Sequence, residues 1–149
     1  LRSSSAASDV YKRQQLYKQN LFSIFSKVLN NGTPYLGTSA GSNICGISMM
    51  NTNDMPIVYP PSFLTLGIIP FNINAHFLDP IKDSKHMGET RETRIKEYHF
   101  FNNTSVLGLR EGSWLEVNDT VITLKGSSPG KWFEKDKTPI DIPVNTVLK

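Results

Sequence analysis

The sequence predicts an α/β fold built on parallel strands. Three observations lead there: an amphipathic helical period beginning at Leu21, a Gly-Thr-Ser-Ala-Gly turn at residues 37–41 between a strand-like and a helix-like segment, and a later charged helix followed by short apolar runs. Helix, strand, sharp turn and helix in succession is the rhythm of a parallel sheet covered by its crossover helices.

Composition bounds what such a domain can do. The 149 residues suit one domain, and 38% apolar with 19% charged residues permits an ordinary globular core. The 16 Lys and Arg and 13 Asp and Glu are spread along the chain for a net charge of +3, with no basic block and no aromatic-basic interleaving. Neither nucleic acid nor a membrane surface is therefore expected as a partner. Cys45 is the single cysteine, so no internal disulfide can form and a reducing, cytoplasmic setting is expected. No run approaches the ~18 to 20 apolar residues of a membrane span, and the first fifteen residues lack the apolar core of a secretory signal.

Residues 1–14 (LRSSSAASDVYKRQ) are Ser/Ala-rich and carry no period or turn signal joining them to the rest, so they are expected to be a non-native or disordered tail. The domain proper is expected over residues 15–149. Leu21, Ile24, Phe25, Val28 and Leu29 then fall on one helical face, and Asn30-Asn31-Gly32 stops that helix with a residue suited to the left-handed conformation. Residues 34–38 read as a short strand with Pro34 at its first position, and residues 40–50, small and apolar, as a helix packed on a sheet. The three prolines of residues 51–62 mark a loop. Residues 66–77 read as a strand that delivers His76 to a sheet end. Over residues 89–98, Glu92 and Lys96 stand at i, i+4 with Ile95 facing inward, a solvent-facing helix. Residues 106–109, 114–117 and 121–124 are short strands, the last two joined by Asn118-Asp119. From Phe133 onward, with Pro139 and Pro143, a trailing edge segment is expected.

The chemistry concentrates at Gly37-Thr38-Ser39-Ala40-Gly41, a G-x-S-x-G pattern between a strand and a helix. Small flanking residues are needed because the serine sits on a strained turn that exposes its oxygen while the helix passes close to the strand. The Ala40 N–H would face the developing oxyanion. A serine at neutral pH also needs a base. Of the three histidines, His86 sits in a polar loop, His99 lies at a helix end where a core or capping role is expected, and His76 ends an apolar strand. Glu111, after the strand of residues 106–110, and Asp54, in the proline-rich loop, are the candidate acids. Glu111 has the better position because strand ends converge on one rim.

Longer stretches extend this pattern. Residues 33–43 (TPYLGTSAGSN), 51–57 (NTNDMPI), 60–63 (PPSF), 66–77 (LGIIPFNINAHF) and 88–92 (GETRE) resemble the S51 serine peptidases of the dipeptidase E, or alpha-aspartyl dipeptidase, type. The resemblance implies a flavodoxin-like sandwich akin to class I glutamine amidotransferases, with serine in place of their cysteine nucleophile. It implies cleavage of dipeptides with an N-terminal aspartate, in the cytoplasm, without metal or cofactor. By position Ser39 is the nucleophile and His76 its base, with Glu111 favoured over Asp54 as the acid. Arg91 is a candidate reader of the substrate carboxylate, since guanidinium binds carboxylates bidentately. Thr38 and Ala75 depart from residues common in the family, Trp and Pro, and Thr38 would alter the pocket beside the nucleophile. The resemblance also implies that the family's N-terminal half is missing, with the first strands and a Gly-Gly-Asn-Thr turn that completes the oxyanion hole, so this chain by itself is expected to be inactive. A cyanophycinase-like peptidase and a non-catalytic binding module are the alternatives. The oligomeric state is left open.

Overall fold

The structure is a computed structural model that describes residues 14–53, 60–80 and 89–148. Residues 14–18 are helical, and after a left-handed Asn20 the expected helix runs as α1, Leu21–Asn30. Gly32 ends it at φ 85°, a conformation that costs other residues about 1 kcal/mol. The apolar stripe of α1 is uncovered: Ile24, Phe25 and Val28 are exposed, and no residue of the helix is buried.

Two elements differ from expectation. Residues 34–38 form no strand, because a strand exists only through its ladder and no described segment pairs with them. The helix expected over residues 40–50 closes after one turn as α2, Ala40–Asn43. Gly46 accounts for the stop. An added Cβ there would lie 2.9 Å from the Phe71 carbonyl oxygen, so the chain passes directly against the next segment and Ser48 bridges to Leu64.

The strand expected over residues 66–77 is confined to β1, Asn72–Ala75. Upstream the amides of Leu66, Gly67, Ile68 and Ile69 bond back to carbonyls of residues 44–46, which removes them from any sheet. The second long helix, α3, is Arg91–Phe101. Thr90 caps it, its hydroxyl oxygen accepting from the Thr93 N–H at 3.1 Å. The expected Glu92–Lys96 pair forms at 2.8 Å, and Ile95 is wholly buried beneath it. Then follow β2 (Val106–Leu109), β3 (Ser113–Asn118), β4 (Val121–Gly126), β5 (Gly130–Phe133), β6 (Ile140–Ile142) and β7 (Val147–Leu148). The β3–β4 hairpin turns through a left-handed Asp119. Among the described residues no helix is long and apolar enough to cross a membrane.

These strands form a mixed α/β arrangement. One sheet has the order β1-β2-β5-β6, and the other β3-β4-β7. The pair β1–β2 is parallel, in register from Asn72 opposite Val106 to Ala75 opposite Leu109, and the remaining pairs are antiparallel. Because β1 and β2 run the same way, α3 is their crossover. The residues expected as a trailing edge supply β6 and β7, each the last strand of its sheet.

The first sheet is covered on both faces. Ile73, Ala75, Leu107 and Leu109 pack with Ile122, Leu124 and Leu148 of the second sheet. On the opposite face Val106 and Phe133 pack with Phe77 and with Ile95 and Tyr98 of α3. The period-2 alternation of strands thus puts Leu107 and Val106 in different cores.

Candidate active site

Ser39 stands immediately before α2 with φ 54° and ψ −117°, outside the regions that L-residues ordinarily occupy. The flanking sequence builds that turn. An added Cβ on Gly37 would lie 2.4 Å from the Gly41 carbonyl oxygen, so only glycine admits the close passage of the incoming backbone against α2. The Tyr35 hydroxyl donates to the Gly41 carbonyl at 2.8 Å, the Cys45 thiol to the same oxygen at 3.4 Å, and the Ser42 hydroxyl to the Gly37 carbonyl at 3.0 Å. Burial holds the Tyr35 phenol well above its ordinary range and pushes the Cys45 thiol up to about 11. Cys45 is therefore a thiol at neutral pH, and its bond to the Gly41 carbonyl braces the turn.

His76 follows β1 directly and is itself left-handed, at φ 57°. Glu111 follows β2 and Arg110, where a left-handed Gly112 turns the chain into the second sheet. Parallel strands ending in register bring the two to one rim, and His76 Nδ1 bonds to Glu111 Oε1. A carboxylate only accepts, so Nδ1 is the donor in this pair. Both side chains are open to solvent, about half for His76 and more for Glu111. Two non-glycine residues with positive φ at a G-x-S-x-G turn and a strand-end histidine are the kind of local strain that clusters at functional sites.

Ser39 is linked to this rim, among the described residues, only through its helix. Asn43, the last residue of α2, accepts the Ala75 N–H on its Oδ1 at 3.1 Å, so the turn bearing Ser39 is tied to the residue before His76. Among the described residues Ser39 Oγ makes no hydrogen bond to His76. The Ala40 N–H stands at the first position of α2, one residue beyond Ser39.

A set of asparagines fastens the open edge of β1. Asn51 Nδ2 donates to the Ile73 carbonyl at 3.0 Å, the Ser48 N–H donates to Asn72 Oδ1 at 2.8 Å, and Asn74 Nδ2 donates to the Asn51 carbonyl at 3.1 Å. On the α3 side Asn72 Nδ2 reaches the Tyr98 hydroxyl at 3.0 Å. Arg91 joins them, its Nη1 donating to the Ala75 carbonyl at 3.1 Å and to Asn74 Oδ1 at 3.3 Å. The structure thus puts Arg91 beside β1, one residue from His76.

Of the other candidates, Asp54 and His86 lie outside the described residues, as do residues 1–13 of the expected tail. His99 is buried at the end of α3, its Nδ1 on the Asn102 carbonyl at 3.3 Å, in the capping and core role expected of it. Sequence reasoning passed over Asn43 and the Asn51, Asn72, Asn74 set. Asparagines at alternate positions of an otherwise apolar strand were the available signal, since a buried amide needs partners.

A model of peptidase family S51 matches residues 13–125. Peptidase E of Streptomyces coelicolor is 47% identical over 133 residues, which cover 89% of this chain and 55% of the relative. A probable alpha-aspartyl dipeptidase of Drosophila melanogaster is 45% identical over 124 residues, 83% of this chain and 52% of its own. Peptidase E of Haemophilus influenzae is 50% identical over 107 residues, 71% of this chain and 49% of its own. The chain spans about half the length of the curated relatives it matches. A match that reaches from before α1 through β4, and so takes in the serine turn and both strands of the parallel pair, leaves one conclusion: the chain belongs to peptidase family S51.

Proposed function

We propose that this chain carries the nucleophile, base and acid of a serine dipeptidase that cleaves dipeptides with an N-terminal aspartate. The observation that carries the reading is the His76–Glu111 pair, formed at the ends of two parallel strands and tied through Asn43 to the turn of Ser39. The names of the relatives, peptidase E and alpha-aspartyl dipeptidase, support the substrate class.

The steps follow from the groups present. Ser39 Oγ attacks the carbonyl carbon of the aspartyl residue while His76 Nε2 takes its proton. Glu111 stabilises the imidazolium through Nδ1–H and fixes the tautomer. The oxyanion accepts from the Ala40 N–H. His76 then protonates the departing amine, and the aspartyl ester left on Ser39 is hydrolysed by a water that His76 deprotonates. Arg91, beside His76, reads a carboxylate of the substrate.

The test uses the intact gene product with Asp-Leu as substrate and a fluorophosphonate as label for Ser39. Ser39→Ala and His76→Ala should each remove nearly all turnover, because such residues act as a unit. Glu111→Ala should be nearly as damaging and Asp54→Ala milder. Arg91→Ala should raise KM while leaving Ser39 labelling intact. A fully active Glu111→Ala beside a dead, folded Asp54→Ala would reassign the acid, and an unlabelled, inactive native protein would return the chain to a binding module.

A further inference from the structure

Arg110 and Asp79 lie just outside the reacting groups, each on the segment that carries one of them. Asp79 is three residues beyond His76, and Arg110 is the residue before Glu111. Their side chains meet in a two-point ion pair: Nε donates to Asp79 Oδ2 at 2.8 Å and Nη2 to Asp79 Oδ1 at 2.9 Å. The rest of the guanidinium is also engaged. Nη1 donates to the Pro129 carbonyl at 2.7 Å and Nη2 to Asp141 Oδ1 at 2.8 Å, so the loop before β5 and the strand β6 hold it from the far side. Lys131 adds a second cation to Asp79 at 3.2 Å.

Beneath the guanidinium lies Phe77, the residue after His76. The Arg110 carbon stands 5.8 Å from the ring centroid, and the ring is 1% exposed. Gly108 makes room for it, since an added Cβ would sit 2.6 Å from Phe77 Cγ. The Phe77 N–H continues the parallel ladder to the Leu109 carbonyl at 3.0 Å. The residue after His76 is thus fixed twice, its backbone by the ladder bond and its ring in a stack with Gly108 and Arg110. This matters because the His76–Glu111 contact itself is too open to solvent to fix its own geometry: an exposed pair contributes little and leaves both side chains free to turn.

We propose that Arg110 and Asp79 are positioning residues, their two-point ion pair locking together the segments after β1 and β2 so that His76 Nδ1 and Glu111 stay in register. The proposal rests on the reading of His76 and Glu111 as base and acid. Asp79 and Asp141 also give the guanidinium carboxylates other than its neighbour Glu111, which leaves Glu111 to the imidazole. A planar fork matters here, because an ammonium can meet one oxygen but cannot set the angle between two segments.

The experiment compares Arg110→Gln, Arg110→Lys and Asp79→Asn in the intact gene product, reading kcat and KM for Asp-Leu, thermal stability, and the His76 Nδ1–H resonance in ¹⁵N-labelled protein. Arg110→Gln should lower kcat about 10-fold or more with little change in KM, since small misplacement of a reacting group is costly. The Nδ1–H resonance should weaken or shift in the same variant. Arg110→Lys should fail to restore either. Asp79→Asn, at a half-exposed position, should reproduce the effect more mildly and serves if the Arg110 variants do not fold. A drop in stability with kcat and the Nδ1–H resonance unchanged would overturn the proposal and leave the ion pair a structural tie. Failure of the parent reading is separate: if Glu111→Gln keeps full kcat, the acid is misassigned, and the Nδ1–H resonance in Arg110→Gln still decides whether the clamp holds the pair.

Discussion

Ser39 and His76 share a positive φ, and at Ser39 the cost of its backbone state can be measured. With φ 54° and ψ −117°, a side chain at Ser39 is strained whatever its chemistry. Ser39→Ala and Ser39→Gly both delete the hydroxyl and both should be inactive, yet Ser39→Gly should be the more stable of the two by about 1–3 kcal/mol, because only glycine occupies that conformation without strain. Chemical denaturation of the two variants makes the comparison. Equal stability would mean the turn relaxes once the hydroxyl is gone and is not held by Tyr35, Cys45 and Ser42.

At the scale of elements, the parallel pair is what aligns the site, and its packing is tight at one position. Gly108 lies under Phe77, with an added Cβ 2.6 Å from the ring. Gly108→Ala should therefore destabilise the protein by about 1–3 kcal/mol through overpacking, and should lower kcat as well, since the displaced ring belongs to the residue after His76. Gly32→Ala is the control: it is strained by its φ of 85° but has nothing within 4 Å, so it should cost about 1 kcal/mol and leave kcat alone. Thermal melts and Asp-Leu turnover separate the two. The other device at this scale is the asparagine set. The free edge of β1 would expose an unpaired ladder, and Asn43 and Asn51 supply amide groups to the Ala75 N–H and the Ile73 carbonyl where a neighbouring strand would otherwise do so.

For the molecule as a whole, shifted groups limit pH stability at both ends. Asp79 is held below its ordinary 3.8 chiefly by the hydrogen bonds from Arg110. Its folded form binds fewer protons than its unfolded form, so its contribution is present above 3.8 and is lost as pH falls through the lower folded value. Cys45 is raised by burial from 9.0 to about 11, so its contribution is full below 9.0 and is lost as pH rises toward about 11. Urea midpoints across pH should fall at both ends. Asp79→Asn should weaken the acid limb and leave the alkaline one, and Cys45→Ala should weaken the alkaline limb between 9.0 and 10.0, above which the buried Tyr35 phenol, held above its ordinary 10.0, sustains it. An acid limb unchanged in Asp79→Asn would show that other carboxylates govern it.

Local pattern determined a good deal. The periods around Leu21 and Ile95 give α1 and α3, the Asn118-Asp119 signal gives the β3–β4 hairpin, and an apolar run ending in His76 puts that residue at a strand end. Each depends on neighbours within a few residues, which a sequence displays directly. The motifs around Ser39 likewise pointed to the family that the comparisons show. What the sequence left undecided was set by contacts between distant residues. Nothing near Phe133 announces that its strand will pair with β2, or that residues 34–38 will find no described segment to pair with. The brevity of α2 follows from Phe71 backbone arriving against Gly46, and the buried asparagines of β1 have meaning only once residues 43–53 lie along its edge. The bond between His76 and Glu111, 35 residues apart, is of the same kind. Both residues can be named from sequence, but only the in-register parallel pairing of β1 with β2 brings imidazole and carboxylate to the same rim, because a ladder fixes register across the chain and local propensity does not.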